Sequence, residues 1–239
     1  TYGDWSSDVC SSDLMPKEPS TLSKNRTQEQ LLIASLSAFG NKDYDAVSTR
    51  EIVELAGANI SSISYHFGGK HPLYLATAAY LANSIRQEMQ GTLDTIRTKV
   101  EEKNRDPAIC RALLKQLVEA LVHNVLQGKL SADAAGFIFR EQLKPTEAFD
   151  ILYQELMEPM LSIYAGLLSC LFEQSDSDRE IKLMTHALLG QILIFRIGQT
   201  TILRRLDSSQ FSNDDCKQIT ELITQQTFAA IDQRLQSTS

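Results

Sequence analysis

The run AGANISSISYHFGGK, residues 56–70, decides the fold of the N-terminal part of this chain. It holds three Ser, an Asn, a Tyr–His pair and a closing Gly-Gly-Lys. Asn59 is a favoured N-cap residue and the Gly pair is a favoured helix end, so the run predicts one short helix. Its surface is too polar to bury and too uncharged to be only a solvated face. That composition indicates contact with another polar surface.

A second short helix precedes this one. The residues STREIVELAG begin with two N-cap types, Ser48 and Thr49, and end at Gly57. Further upstream, TQEQLLIASLSAFG predicts a longer helix with Thr27 as its N-cap. Two short helices joined by a tight turn form a helix-turn-helix, whose second helix lies in the DNA major groove. Residues 15–70 therefore predict a three-helix DNA-binding domain.

The small side chains of the second helix suit a close approach to DNA. Ser61 and Ser62 lie in its first turn, where hydroxyls reach phosphates or bases without wedging the helix out of the groove. Asn59 caps the helix and turns its amide toward a phosphate. Ile60 and Ser64 are the remaining candidates for contact with base edges.

Two ring side chains and one cation complete this surface. Tyr65 and His66 can donate to phosphate oxygens, and Lys70 adds a charge beside the N-terminus of the following helix. For His66 a solvated surface role is the alternative, and a metal site is less favoured because no second ligand stands three or four residues on. The predicted DNA contacts are Thr27, Ser48, Thr49, Arg50, Asn59, Ile60, Ser61, Ser62, Ser64, Tyr65, His66 and Lys70.

The charge distribution is compatible with a DNA partner. The whole chain has a formal net charge of −7, but residues 15–80 carry six Lys or Arg and six Asp or Glu. The acidity lies in residues 1–14 and 81–239. The local field decides binding, so the negative total does not exclude nucleic acid.

The N-terminal segment and the cysteines indicate the cellular compartment of the protein. TYGDWSSDVCSSDL, residues 1–14, has no basic start and no apolar centre, so it is not a signal peptide. We expect it to be a non-native tail, with Met15 as the natural start. The four cysteines are far apart and form no CxxC pair. Neither a zinc site nor a disulfide framework is predicted, and the expected location is the cytoplasm.

The remainder of the chain, residues 71–239, predicts only helices. Pro107 opens a helix with a regular apolar stripe, and the run 146–172 predicts a helix kinked at Pro159. The run 176–206 predicts one unbroken helix before the last long one. No strand alternation and no repeat is visible in the sequence. The fold class is therefore all-α.

The stretch 183–203 is strongly apolar but carries His186, Gln191, Arg196 and Gln199. This predicts a buried helix and not a membrane span. A buried charge needs a partner. For Arg196 the partner is an acidic ligand, a Glu of the same subunit or a residue across a dimer interface.

The run STREIVELAGANISSISYHFGGKHPLY, preceded by LLIASLSAFGNKDYDAV, resembles the DNA-binding region of TetR-family transcriptional regulators. The resemblance covers residues 25–75. Asn59 stands where Ser is usual and Ser64 where an aromatic residue is frequent, so the base preferences of other members do not transfer. The matching positions are Phe39, Tyr44, Thr49, Ile52, Ala56, Gly57, Tyr65, Phe67, Lys70 and Leu73.

Three further segments, YHFGGKHPLYLA, REQLKPTEAFDILY and GQILIFRIGQTTILRRL, resemble the CecR-like branch of that family. The resemblance implies a helix-turn-helix domain followed by a helical regulatory and dimerisation domain, residues 71–239. It implies a homodimer joined through the last two helices, bound to a double-stranded DNA operator. It also implies a small-molecule effector that loosens DNA binding, and a link to membrane efflux and drug-sensitivity genes.

Five residues are candidates for the effector pocket. For the aromatic ones, a place in the packed core is the alternative. For Arg140, an ion pair with the adjacent Glu141 is the alternative. The candidates are Phe137, Arg140, Tyr164, His186 and Arg196.

Together these features predict a cytoplasmic, dimeric, ligand-responsive regulator, most simply a repressor, with no cofactor and no metal. The alternative is a DNA-bound structural or protein-interaction factor without a small-molecule effector. An all-α enzyme ranks far behind. The sequence shows no Ser-His-Asp spacing, no paired carboxylates tied to a His and no phosphate-binding Gly loop.

Overall fold

The computed structural model describes residues 21–102, 106–128 and 130–237, and the predictions for residues 1–14 lie outside them. Over the described residues the chain forms helices and their connections, which confirms the all-α fold class. The helices are α1 (Thr21–Asn41), α2 (Thr49–Ala56), α3 (Ser61–Phe67), α4 (Lys70–Glu102), α5 (Pro107–Gln127), α6 (Ala132–Leu143), α7 (Glu147–Leu152), α8 (Glu158–Phe172), α9 (Arg179–Ile197), α10 (Gln199–Arg205) and α11 (Asn213–Gln236). A 3-10 turn at Tyr44–Ala46 precedes α2, and a π-helical turn at Tyr153–Met157 precedes α8.

Helices α1, α2 and α3 enclose the core of the helix-turn-helix. Phe39 of α1, Ile52 of α2 and Ile63 of α3 are 1%, 0% and 2% exposed and belong to one apolar cluster. Phe67 packs against the same cluster and is half-buried. The cluster continues into α4 at Leu73. The apolar core of the N-terminal domain therefore extends past residue 70.

Helix α1 begins earlier than the sequence predicts. Thr27 lies inside the helix, which starts at Thr21, so its predicted role as N-cap is wrong. The intervening residues TLSKNR contain no Pro or Gly, and nothing in them stops the helix from extending toward the N-terminus.

Two runs predicted as single helices are interrupted. In the run 146–172 the break is the π-helical turn Tyr153–Met157, just before Pro159. Because Pro has no N–H and its ring clashes with the carbonyl four residues earlier, the wider turn accommodates it. The run 176–206 is not one unbroken helix, since it bends by 68° at Gly198.

Helix α5 is the central helix of the C-terminal domain. Its predicted apolar stripe is buried, and it packs against α4, α8, α9 and α11. Asp106 caps it by accepting from Ala108 N at 2.8 Å, beside Pro107 in the first turn. Arg111 donates to both carboxylate oxygens of Asp232, at 2.7 and 2.9 Å, and so fixes α11 against α5.

Helix α9 is not the fully buried helix that the sequence predicts. One face, with Ile181 and Ile192, packs into the core, whereas Leu183 and Ile194 on another face are exposed. Composition alone does not distinguish a helix buried on all sides from one whose second face is free in a single chain.

Two stretches of the described residues are long and apolar enough to cross a membrane by composition. They are Glu147–Phe172 and the bent pair α9–α10. Both contribute side chains to the core, since Leu168 and Ile192 are buried. Core helices of helical bundles pass the same test.

Helix α6 joins the two parts of the molecule. Helices α1 and α6 cross with their backbones in contact, and a Cβ on Gly136 would lie 2.3 Å from the carbonyl oxygen of Gly40. One turn further, Arg140 donates to Asp43 at 2.9 Å and to the Gly40 carbonyl at 3.0 Å. The predicted ion pair of Arg140 with Glu141 is therefore wrong, because the guanidinium turns to α1.

Substituting Gly136 by Ala is expected to lower the free energy of unfolding by about 1–3 kcal/mol, as overpacking does. The added methyl meets a backbone oxygen, so α6 has to move away from α1. Urea unfolding followed by circular dichroism measures the change. Gly166→Ala in α8 is the matched control, because a Cβ there meets nothing within 4 Å. Unchanged stability of Gly136→Ala contradicts the close contact.

Candidate nucleic-acid interface

Local hydrogen bonds set the turn between α2 and α3. Ser48 is the N-cap of α2, and its hydroxyl accepts from Glu51 N at 3.1 Å, as predicted. Helix α2 ends at Gly57, whose φ of 61° is left-handed and unfavourable for most other residues. Ala58 N then donates to Val53 O at 2.9 Å, and the chain turns into α3. This arrangement confirms the predicted helix-turn-helix.

A side chain that precedes α3 accepts a hydrogen bond from its first turn. The side-chain oxygen of Asn59 accepts from Ser61 N at 3.3 Å. Asn59 therefore caps the turn, as the sequence predicts, from the position before the formal N-cap Ile60. Because a phosphate oxygen accepts hydrogen bonds, the NH₂ group of Asn59 is the part that would contact it.

Helix α3 has one buried side and one exposed side. Ile63 is buried, whereas Ile60 and Tyr65 are 53% and 65% exposed. The Tyr65 ring lies edge-on to the ring of His66, with centroids 4.9 Å apart. Of the other predicted contacts, Ser48, Arg50, Asn59, Ser61 and Ser64 are exposed, and Thr27, Thr49, Ser62, His66 and Lys70 are half-buried.

Protein groups hold two of the cations near α3. Lys70 Nζ donates to the Tyr44 carbonyl at 2.6 Å and lies 4.2 Å from the centroid of the Tyr44 ring. Arg50 pairs with Glu54 at 3.1 Å on the exposed surface. An ammonium has three N–H donors and a guanidinium five, so each cation keeps donors for a phosphate. The contact of Lys70 with a phosphate stays a prediction.

Cys110, Cys170 and Cys216 are buried and form no disulfide within the described residues. Within the described ranges, no group of three or more His, Cys, Asp or Glu side chains is placed to hold a metal ion.

A cavity of about 350 Å³ opens among helices α4 to α9. Its lining is mostly apolar and includes Met89, Met157 and Met160. Of the five residues predicted for the effector pocket, His186 is the one that lines this cavity. We call it the central cavity.

The other four predicted pocket residues lie elsewhere. Phe137 and Tyr164 are fully buried in the packed core. Arg140 contacts α1. Arg196 donates to Gln199 Oε1 at 3.0 Å, and partial burial holds the pKa of its guanidinium below the ordinary value. The structure does not bring the five together.

Sequence reasoning missed a buried polar network at the junction of the two domains. Glu141 is 1% exposed and accepts from Tyr74 OH at 2.5 Å and from Thr146 N at 3.0 Å. Burial, and then the hydrogen bond to Glu141, raise the pKa of Tyr74 well above its ordinary value. Tyr74 and Glu141 are 67 residues apart, so no local pattern connects them.

A second missed residue did carry a sequence signal. Asn124 is the polar residue within the apolar stripe of α5, beside Val125 and one turn after Leu121. It is buried and lines the central cavity. A polar residue on an apolar helix face indicates a hydrogen-bonding role inside the protein.

Known families match both parts of this chain. Residues 31–77 match the family described as bacterial regulatory proteins, tetR family. Residues 110–232 match the C-terminal domain of the HTH-type transcriptional dual regulator CecR. A Shigella flexneri protein named HTH-type transcriptional dual regulator CecR is 34% identical over 225 residues, which is 92% of this chain and 96% of that protein.

Solved structures share the fold. A Pseudomonas aeruginosa PAO1 protein described as a transcriptional regulator has a TM-score of 0.63 and 20% identity, over 90% of this chain and 96% of its own. A TetR-like transcriptional regulator from Rhodococcus sp. RHA1 has a TM-score of 0.54 and 16% identity, over 85% and 96%. With the helix-turn-helix geometry and the two family matches, this chain belongs to the TetR family of bacterial transcriptional regulators and carries a CecR-type C-terminal domain.

Proposed function

We propose that this regulator binds a double-stranded DNA operator as a homodimer in the cytoplasm, represses the adjoining gene, and releases the operator when a small molecule occupies the central cavity. The observation that carries the proposal is the exposed side of α3. Ile60, Ser61, Ser64 and Tyr65 are all exposed on a helix whose other side is buried at Ile63. A helix-turn-helix presents such a side to the major groove.

An exposed apolar face supports a homodimer through the last two long helices, α9 and α11. Leu183, Ile194 and Ile197 of α9 and Leu222 of α11 are all exposed in the single chain. Exposed apolar side chains grouped on two helices are typical of an interface, and a two-fold axis pairs such a surface with itself. The dimer has to place its two α3 helices about 34–36 Å apart to enter successive major grooves.

Ile194→Ala is expected to weaken the dimer about tenfold or more, because both subunits lose the same buried side chain at a two-fold interface. Sedimentation equilibrium measures the dissociation constant. Leu55→Ala is the matched control, since Leu55 is 59% exposed on α2 and Ile194 is 51% exposed on α9. Equal dissociation constants for the two variants contradict the placement of the interface.

Helix α6 connects the central cavity to the DNA-binding domain. Ile138 and Gln142 line the cavity, and Gly136 and Arg140 of the same helix contact α1. A ligand that displaces Ile138 or Gln142 therefore moves the helix that positions α1. It shifts the population away from the DNA-binding arrangement by its differential affinity for the two arrangements.

Selection of genomic DNA fragments by the purified protein tests this function. We expect enrichment of an inverted repeat whose half-sites are separated by about one helical turn or a multiple of it. Enrichment of an unrepeated site contradicts the homodimer, and enrichment of no shared sequence contradicts operator binding.

A further inference from the structure

The central cavity is lined by apolar side chains with four polar exceptions, Asn124, Gln142, Tyr153 and His186. Among the described residues that line it, none is Lys, Arg, Asp or Glu. We infer that its ligand is an uncharged, largely apolar molecule that supplies hydrogen-bond donors, such as a phenol or an aromatic N–H compound. The inference rests on the proposed effector role of the cavity and specifies the chemistry of the effector.

His186 presents an acceptor to the cavity. Its Nδ1 lies 2.8 Å from the carbonyl oxygen of Lys182. A carbonyl only accepts, so Nδ1 carries the proton and donates it. In the neutral ring, Nε2 then keeps its lone pair and accepts from a ligand.

Asn124 and Gln142 each use one of their two amide hydrogens in a contact with the protein. Asn124 Nδ2 donates to Glu88 Oε2 at 2.8 Å, and a carboxylate only accepts, so the orientation of this amide is fixed. Gln142 Nε2 donates to Met157 Sδ at 3.4 Å, a weak acceptor. Each amide therefore keeps a second hydrogen beside its acceptor oxygen, and the Tyr153 hydroxyl can also donate or accept. The neutral ring of His186 only accepts at Nε2, so a ligand that satisfies it has to bring a hydrogen.

The charge and the volume of the cavity restrict the class of ligand further. A carboxylate in this cavity would lose hydration and find no Lys or Arg in the lining, which disfavours anions. The volume of about 350 Å³ suits a ligand with two or three rings. Met89, Met157 and Met160 are flexible and polarisable, and they pack well against aromatic rings.

Three probes of one shape test the inference: para-phenylphenol, para-methoxybiphenyl and para-biphenylcarboxylate. Isothermal titration calorimetry of the full chain without DNA gives each affinity. We expect the phenol to bind roughly tenfold or more tightly than the ether, and the carboxylate to bind more weakly than both. Equal binding of phenol and ether, tighter binding of the carboxylate, or binding of no probe overturns the inference.

Two variants assign the preference to His186. His186→Phe keeps a similar volume and removes the acceptor, so it is expected to lower the affinity for the phenol roughly three- to tenfold and to leave that for the ether unchanged. Gln142→Met removes an amide that can accept from the phenol and donate to the ether, so it is the control and is expected to lower the affinity for both probes. Equal losses for both probes with His186→Phe would show a packing defect and overturn the assignment.

A separate measurement tests the proposed regulation of DNA binding independently of the ligand preference of the cavity. Operator affinity is measured with and without saturating para-phenylphenol. If the phenol binds selectively but operator affinity stays the same, the regulatory role fails while the cavity chemistry stands. If operator affinity falls but the ether acts equally well, the regulatory role stands and the donor requirement fails.

Discussion

Replacing Glu141 by Leu is expected to destabilise this protein by about 2–4 kcal/mol, because it removes the acceptor of the buried Tyr74 hydroxyl and of the Thr146 donors at the junction of the domains. Tyr74 OH and Thr146 N both donate to this carboxylate. Tyr74 is 4% exposed and lies edge-on to Phe39, with ring centroids 4.8 Å apart. Because the side chain is buried, water does not replace the acceptor that the Tyr74 hydroxyl loses. Equilibrium urea unfolding monitored by circular dichroism measures the loss.

Two controls make this result specific. Glu141→Gln keeps one acceptor oxygen and nearly the same volume, so it is expected to cost less than half as much. Glu147→Leu changes an exposed carboxylate on the neighbouring helix, and it is expected to change stability by less than about 0.5 kcal/mol. If Glu141→Leu unfolds at the same urea concentration as the unchanged protein, the network contributes nothing and the account of the junction is wrong.

Tyr65→Ala is expected to weaken binding to all DNA sequences by roughly 30- to 1000-fold. Tyr65 is 65% exposed on α3, and in the proposed complex its hydroxyl would donate to a phosphate oxygen while its ring covers the DNA backbone. Such a contact contributes about 1–2 kcal/mol, and a homodimer loses it twice. Fluorescence anisotropy with operator and scrambled duplexes measures the change. Full affinity of Tyr65→Ala contradicts the placement of α3 in the groove.

Smaller residues at the start of α3 are expected to affect DNA binding differently from Tyr65. Ser62→Ala and Ile60→Ala are expected to change the relative affinity for different sequences, because they alter contacts at base edges. Lys70→Ala is expected to weaken binding to every sequence, but Lys70 also donates to the Tyr44 carbonyl. Its unfolding has to be measured in parallel, so that a loosened turn is not mistaken for a lost phosphate contact.

The features that could be predicted from the sequence are those that depend on residues close together in the chain. Ser48 and Gly57 delimit α2 because cap and left-handed turn preferences act within a few residues. The apolar stripe of α5 was predictable because its spacing records a buried face. For the same reason, the helix-turn-helix and its exposed side follow from the run 56–70.

The contacts between distant segments could not be predicted in this way. Gly136 approaches Gly40 across 96 residues of chain, and an isolated Gly in a helix has no pattern that names its partner. Glu141 looked like the partner of Arg140 because they are adjacent, yet successive helix positions point in different directions. Four of the five residues predicted for the effector pocket were wrong for a related reason. Bulky residues such as Phe137 and Tyr164 fill the core, and the cavity lies where methionines and amides leave room.

The central claim is sequence-selective DNA binding through α3. The most direct test is binding of the whole protein to DNA from upstream of its own gene, beside a scrambled duplex, across a salt series. If Arg50 and Lys70 of both subunits reach phosphates, log affinity falls against log salt with a slope of roughly −4. We expect nanomolar binding to the native fragment and roughly a thousandfold weaker binding to the scrambled one. Equal affinities for the two fragments at every salt concentration would contradict the account.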